Sequence, residues 1–151
     1  MYYTLLLVHS LLRWFVLISL GMSVFMAARG YKYYRPFATT DNLIRHLTAT
    51  IAHLQLVVGM VLYSQSPVVK YFFSGASYTL ESLFFAAIHI ILMLCAIVVI
   101  TIGSAIAKRA PRDRDKFRNM LMWYGLALLS ILTAIPWPFS PLAHRPLLRP
   151  F

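Results

Sequence analysis

The sequence predicts an all-α, integral membrane four-helix bundle that runs up and down across a bilayer. Three observations predict it. The 151 residues are 60% hydrophobic and 12% charged, with a mean hydropathy of +0.72. A soluble domain is nearer half apolar and a quarter charged, and one small core cannot hide this much apolar surface. Four apolar segments of ~17–27 residues stand apart, and ~20 helical residues span a bilayer. The runs lack the ten-residue alternation of a membrane β-barrel. An ordinary soluble domain, a disordered chain and a disulfide scaffold are therefore excluded.

The first helix is expected over about residues 2–28. MYYTLLLVHSLLRW has no basic start and no small-residue cleavage site, so it reads as a retained helix rather than a signal peptide. RGYKYYRPFATTD follows, where Pro36 discourages continued helix and Thr39, Thr40 and Asp41 are N-cap candidates. The second helix is expected over about 42–63. SQSPVVKYFFSGASYT then suits the membrane interface, through VVKYFF. The third helix is expected over about 80–107 and the polar loop KRAPRDRDKFR follows it. The fourth is expected over about 120–136, before an extended Pro-rich tail at 137–151 with Trp137 at the membrane surface. No repeat or second domain is visible, so residues 1–151 read as one transmembrane domain. Gly21, Gly59, Gly103 and Gly125 read as close-packing positions between helices.

The net charge of +10 comes from 14 Lys+Arg against 4 Asp+Glu. Its placement speaks for topology rather than nucleic acid. Arg29, Lys32, Arg35 and Arg45 flank the first loop. Lys108, Arg109, Arg112, Arg114, Lys116 and Arg118 surround the third. The other side has Lys70, Arg145 and Arg149. Basic residues mark the cytoplasmic side, so both termini are expected to face away from the cytoplasm. The third loop is expected to touch anionic lipid. The single Cys95 forms no intrachain disulfide and is silent on redox compartment.

In so apolar a chain, intramembrane polar residues are the informative ones. His9 and Arg13 fall on the first helix, His46, His53 and Gln55 on the second, and Glu81 and His89 on the third. Counting from the outer ends puts His9 at ~10 Å, His53 at ~15 Å and His89 at ~14 Å depth. Two imidazoles facing across a bundle suit axial haem ligation, and three at one level suit copper or zinc. Arg13, one turn below His9, would compensate a haem propionate, Glu81 or a partner's carboxylate. The bland alternative is that the histidines are hydrogen-bonding glue between helices. His46 belongs with the interface, and Glu81 reads as a first-turn acid favoured by the helix dipole. No second histidine level exists for a di-haem bundle, and no phosphate loop, nucleophile–base pair or CxxC is present.

Four blocks carry a resemblance. They are HSLLRW at 9–14, AHLQLVVGMVLYSQSP at 52–67, AIHIILMLCAIVVITIGSAIAKR at 87–109 and YGLALLSILTAIPWPF at 124–139. Together they resemble the small four-helix bacterial membrane proteins commonly labelled "cytochrome B", over nearly the whole chain. The resemblance implies the fold and a membrane location, and its label implies haem b. The matching histidines are His9, His53 and His89, with Arg13 and Trp14 matching the LRW. His46 matches nothing in the pattern. Ile88 and Ile90 stand where the family usually has an acid and a proline around the third histidine.

The leading expectation is thus one b-type haem in the outer half, held by two of His9, His53 and His89. Electrons would pass between a quinone or a redox protein and another redox partner. The alternatives are a copper or zinc site built from all three histidines, and a cofactor-free accessory subunit. Membrane lipids are partners under each reading, and a homo-oligomer or larger membrane complex is compatible with each.

Overall fold

A computed structural model describes residues 1–75 and 79–140. Helix α1 is Tyr2–Lys32, α2 is Thr39–Gln65, α3 is Pro67–Phe73, α4 is Leu80–Arg109 and α5 is Asp113–Ala134. The four long helices, α1, α2, α4 and α5, are each long and apolar enough to cross a membrane. They alternate in direction around a square. α1 packs on α2 and α5, and α4 packs on α5 and α2. The chain is a multi-pass membrane protein built as a small four-helix bundle.

Small residues let the helices approach. Ala27, Ala52, Ala96, Ala107 and Ala127 lie in the core beside Leu20, Ile100, Phe117 and Tyr124. Large apolar side chains such as Phe15, Ile18, Val98 and Leu129 point outward. In lipid that inversion is expected, because tails are as apolar as leucine and close backbone contact drives association. Gly103 meets Trp123 of α5, and Gly59 meets the His9 ring of α1. Gly21 and Gly125 were expected to do the same but face open space, whereas Gly30 lies against Phe117. A sequence shows that a glycine sits on a helix, not which face the neighbour covers.

Polar glue joins α1 to α2. Thr48 donates to the Ser19 carbonyl at 3.2 Å and its hydroxyl lies 2.8 Å from that of Ser23, both side chains being buried. Interhelical bonds of this kind contribute ~0.6 kcal/mol each. Ser23→Ala should therefore lower stability by under about 1 kcal/mol in a detergent unfolding titration.

α1 and α4 begin where expected, at Tyr2 and Leu80, and the other helix ends differ for local reasons. α1 runs to Lys32 and closes with Arg35 N–H bonded to the Gly30 carbonyl at 3.1 Å. Tyr34 takes the left-handed position of that turn, at φ 52°. Glycine usually fills it. The Arg114 guanidinium lies over the Tyr34 and Tyr31 rings, at 4.2 and 4.7 Å from their centroids, and covers the strained residue. α2 begins at Thr39, and the capping group is Asp41 in its first turn rather than a side chain at the cap itself. Asp41 accepts the Ala38 N–H at 2.9 Å and pairs with Arg35 at 2.5 Å. VVKYFF forms helix α3, with Pro67 at its first turn and Ser66 accepting the Val69 N–H.

The fourth span starts at Asp113, not near residue 120. Asp113 and Asp115 occupy its first turn, where the helix dipole favours acids. They pair with Lys116 and Arg112, so the charged stretch is a helical stem rather than a loop. After α5, Trp137 donates to the Leu132 carbonyl at 2.8 Å and stacks on Phe139. The rest of the expected Pro-rich tail, with His144, lies outside the described residues.

Candidate functional site

The expected polar residues divide between two places. The first is inside the half of the bundle nearer the N-terminus of α1. His9 and Arg13 are one turn apart on α1. Gln55 reaches across from α2, its amide nitrogen donating to the His9 carbonyl at 3.0 Å and lying 3.3 Å from His9 Nε2. His9 Nδ1 and Gln55 Oε1 are buried with no hydrogen-bond partner among the described residues. His89 of α4 anchors its Nδ1 on the Ala134 carbonyl of α5 at 2.8 Å. His9 lies against Gly59 of α2, and Tyr63, one turn on from Gly59, is bonded to Ala86, three residues before His89. The Arg13 guanidinium also lies over the Trp14 ring.

The backbone leading into His89 is unusual. Residues Phe84–Ile88 form one π-helical turn inside α4. Such a turn widens the helix by one residue and leaves backbone carbonyls poorly paired; it recurs at functional sites. Tyr63 of α2 donates its hydroxyl to the Ala86 carbonyl at 2.8 Å. The Phe84 and Phe85 rings flank the His89 imidazole. Nothing in the sequence signals this turn, because its residues, FFAAI, suit an α-helix equally well. Glu81 sits in the first turn of α4, as expected. Thr79 and Ser82 cap that turn reciprocally at 3.0 Å each.

His53 stands apart from this cluster. It is exposed on the outside of α2, its Nδ1 on the Ala49 carbonyl at 2.6 Å and its Nε2 3.2 Å from the Thr101 hydroxyl of α4. Thr101 follows His89 by twelve residues, or ~18 Å of helix. On α2 it is Gln55 and Gly59 that reach His9. The three histidines therefore do not share one interior face: His53, two residues from Gln55, points to another side of α2 than the residues that reach His9. Counting from helix ends misleads here because α2 extends to Gln65 and its end is not level with that of α4: Tyr63, two residues from the end of α2, meets Ala86, six residues into α4. Among the described residues no three His, Cys, Asp or Glu side chains gather as a metal-binding group.

The second place is a groove of about 420 Å³ between α2 and α4 at the basic end. Its buried floor includes Arg45 and Ser104, and its exposed rim includes His46, His53, Lys108 and Arg109. The i+7 spacing puts His46 and His53 on one face of α2, as expected. Arg45, expected only as a loop-flanking charge, is 4% exposed. It donates to the Asn42 side-chain oxygen at 2.9 and 3.2 Å, to the Ser104 carbonyl at 3.0 Å and to the Ser104 hydroxyl. Tyr124, buried on α5, donates to the Arg45 carbonyl at 2.8 Å.

Comparison with known protein families, curated proteins and solved structures finds no match to this chain.

Proposed function

We propose that this protein is a membrane electron-transfer protein for one b-type haem, which His9 and His89 would hold, with Arg13 as the neighbouring cation. The observation that carries the reading is the setting of His89. A ligating histidine characteristically donates its second ring nitrogen to a carbonyl, which fixes its orientation and leaves the other nitrogen for the metal. His89 has that bond, to Ala134 on another helix. His9 offers a second imidazole from α1 with a buried, unengaged ring nitrogen. The donor set thus fits a two-histidine haem. When bound, the haem would supply one-electron redox chemistry.

The chain's own residues have distinct tasks in this reading. Gln55 steadies His9 from α2. Phe84 and Phe85 shield the His89 ring from water and lipid headgroups. Arg13 places a cation where a propionate carboxylate is accommodated. The four-block resemblance to proteins labelled "cytochrome B" supports the same reading. The basic clusters around the first and third loops support cytoplasmic placement of that end, in a bacterial inner membrane. Quinone or a redox protein at the outer end would then be the exchange partner.

The test is a reduced-minus-oxidised absorption spectrum of detergent-purified protein, with metal analysis of the same sample. A Soret band and sharp α-band at one iron per chain are expected. His9→Ala and His89→Ala should each abolish the low-spin spectrum, and His53→Ala should leave it intact. Loss with His53→Ala would restore the His9–His53 pair. A flat spectrum with bound copper or zinc would replace haem by a transition-metal site. A flat spectrum without metal would leave an accessory subunit whose histidines join helices.

A further inference from the structure

The groove between α2 and α4 gathers Arg45, Lys108 and Arg109, and none of the ion pairs among the described residues involves them. The protein has 4 Asp+Glu. Asp41 pairs with Arg35, Asp113 with Lys116 and Asp115 with Arg112. The fourth, Glu81, begins α4, whereas Lys108 and Arg109 end it, ~40 Å away. Arg45 is nevertheless buried in the groove floor, and among the described residues its side chain bonds only neutral acceptors, while Asp41, one turn before it on α2, is paired with Arg35. Taking a guanidinium out of water costs several kcal/mol unless an anion compensates it. The dipole of α4 accounts for Lys108 and Arg109 at its C-terminus. It does not account for a buried arginine on a neighbouring helix.

The surroundings specify the anion. Four of the five guanidinium N–H donors of Arg45 are committed to Asn42 and Ser104, which fixes its plane. Lys108 and Arg109 on the rim add charge, and His46 and Thr50 add ring and hydroxyl groups. A compact group with several acceptor oxygens, a phosphate, suits so many donors. The cavity volume falls in the ~300–1,000 Å³ range of small-molecule sites. Toward the middle of the bundle the same helix faces continue as apolar, outward-facing surface, with Val57 on α2 and Leu94 and Val98 on α4. An acyl chain would lie there while its headgroup entered the groove.

We propose that this groove is a binding site for a phosphate group, and specifically for the phosphate of an anionic phospholipid. The cations at its rim capture the headgroup, and buried Arg45 supplies a fixed charge beneath it. Basic pockets between transmembrane helices at the cytoplasmic face take such headgroups. The site is separate from the outer histidine cluster and does not depend on haem.

The test uses the full-length protein in neutral detergent. Binding of phosphatidylglycerol is followed by native mass spectrometry, with phosphatidylcholine as comparison and inorganic phosphate as competitor. Lys108→Gln with Arg109→Gln removes two rim charges and should weaken phosphatidylglycerol binding by about tenfold or more. Arg29→Gln with Arg118→Gln removes the same charge from exposed positions elsewhere at this end and should leave binding unchanged. Arg45→Gln is a further variant, read only if its melting curve shows a folded protein. Lipid binding lost in the rim variant alone supports the phospholipid site. Binding of inorganic phosphate that is lost in the rim variant, without lipid preference, retains the phosphate site and assigns it to a free anion. Equal loss in both charge variants, or no preference for phosphatidylglycerol and no phosphate binding, overturns the proposal.

Discussion

Gly103→Val should be the most damaging single substitution in the bundle. A side chain at Gly103 would enter the space held by Trp123, starting with its Cβ, which is bonded to the α5 backbone and cannot swing aside. The helices themselves must separate, along the seam that holds Ala107, Ala127 and Ile100. Overpacking of this kind costs about 3 kcal/mol. Gly30→Ala should cost about 2 kcal/mol, by meeting the Phe117 ring. That ring is wedged between Phe37, at 4.9 Å, and the Arg35 guanidinium, at 5.2 Å. Gly21→Ala is the control. Its added methyl meets nothing, and it should gain a few tenths to 1 kcal/mol from helix propensity. Equilibrium unfolding in mixed micelles with increasing dodecyl sulfate checks the order. A Gly103→Val protein as stable as Gly21→Ala would refute the close seam.

The second large effect belongs to Asp41. Its carboxylate is 1% exposed and performs two tasks, taking the Ala38 N–H at the start of α2 and pairing with Arg35. Asp41→Ala removes both and should cost about 2 kcal/mol. Asp41→Asn keeps an oxygen for the cap but removes the charge. Arg35 is 40% exposed, so water replaces much of that attraction. The asparagine variant should therefore cost nearer 1 kcal/mol. Equal costs for the two would assign the whole effect to the ion pair and leave the cap without weight. The Arg35→Gln variant, measured in the same titration, isolates the pair.

The two charge systems at this end of the molecule obey different rules. Arg35, Arg112 and Lys116 meet carboxylates within the chain, and each pair closes a turn or stabilises the α5 stem. Arg45, Lys108 and Arg109 meet none of them. Counting basic residues along the sequence treats both groups as one topology signal. Burial sets Arg45 apart from the rest, because only a desolvated cation needs an anion nearby.

Composition and run length by themselves determined the membrane class, the number of spans and the identity of the intramembrane polar residues. These follow from a one-dimensional rule: ~20 apolar residues in helix cross a bilayer, whatever surrounds them. Helix ends were legible to within a few residues, except at α5. There the charged stem reads as a loop until Arg114 is seen over Tyr31 and Tyr34. The histidines could be named from sequence, but their grouping could not. His9, His53 and His89 are equivalent when counted from helix ends. Rotation about each helix axis, the π turn before His89 and the full length of α2 decide that His89 turns to Ala134 while His53 turns outward to Thr101. The same is true of Gly30 and Gly21, or of buried Arg45 and exposed Arg29. A residue's face depends on which helix packs there, and packing is a property of four helices together, not of any one run.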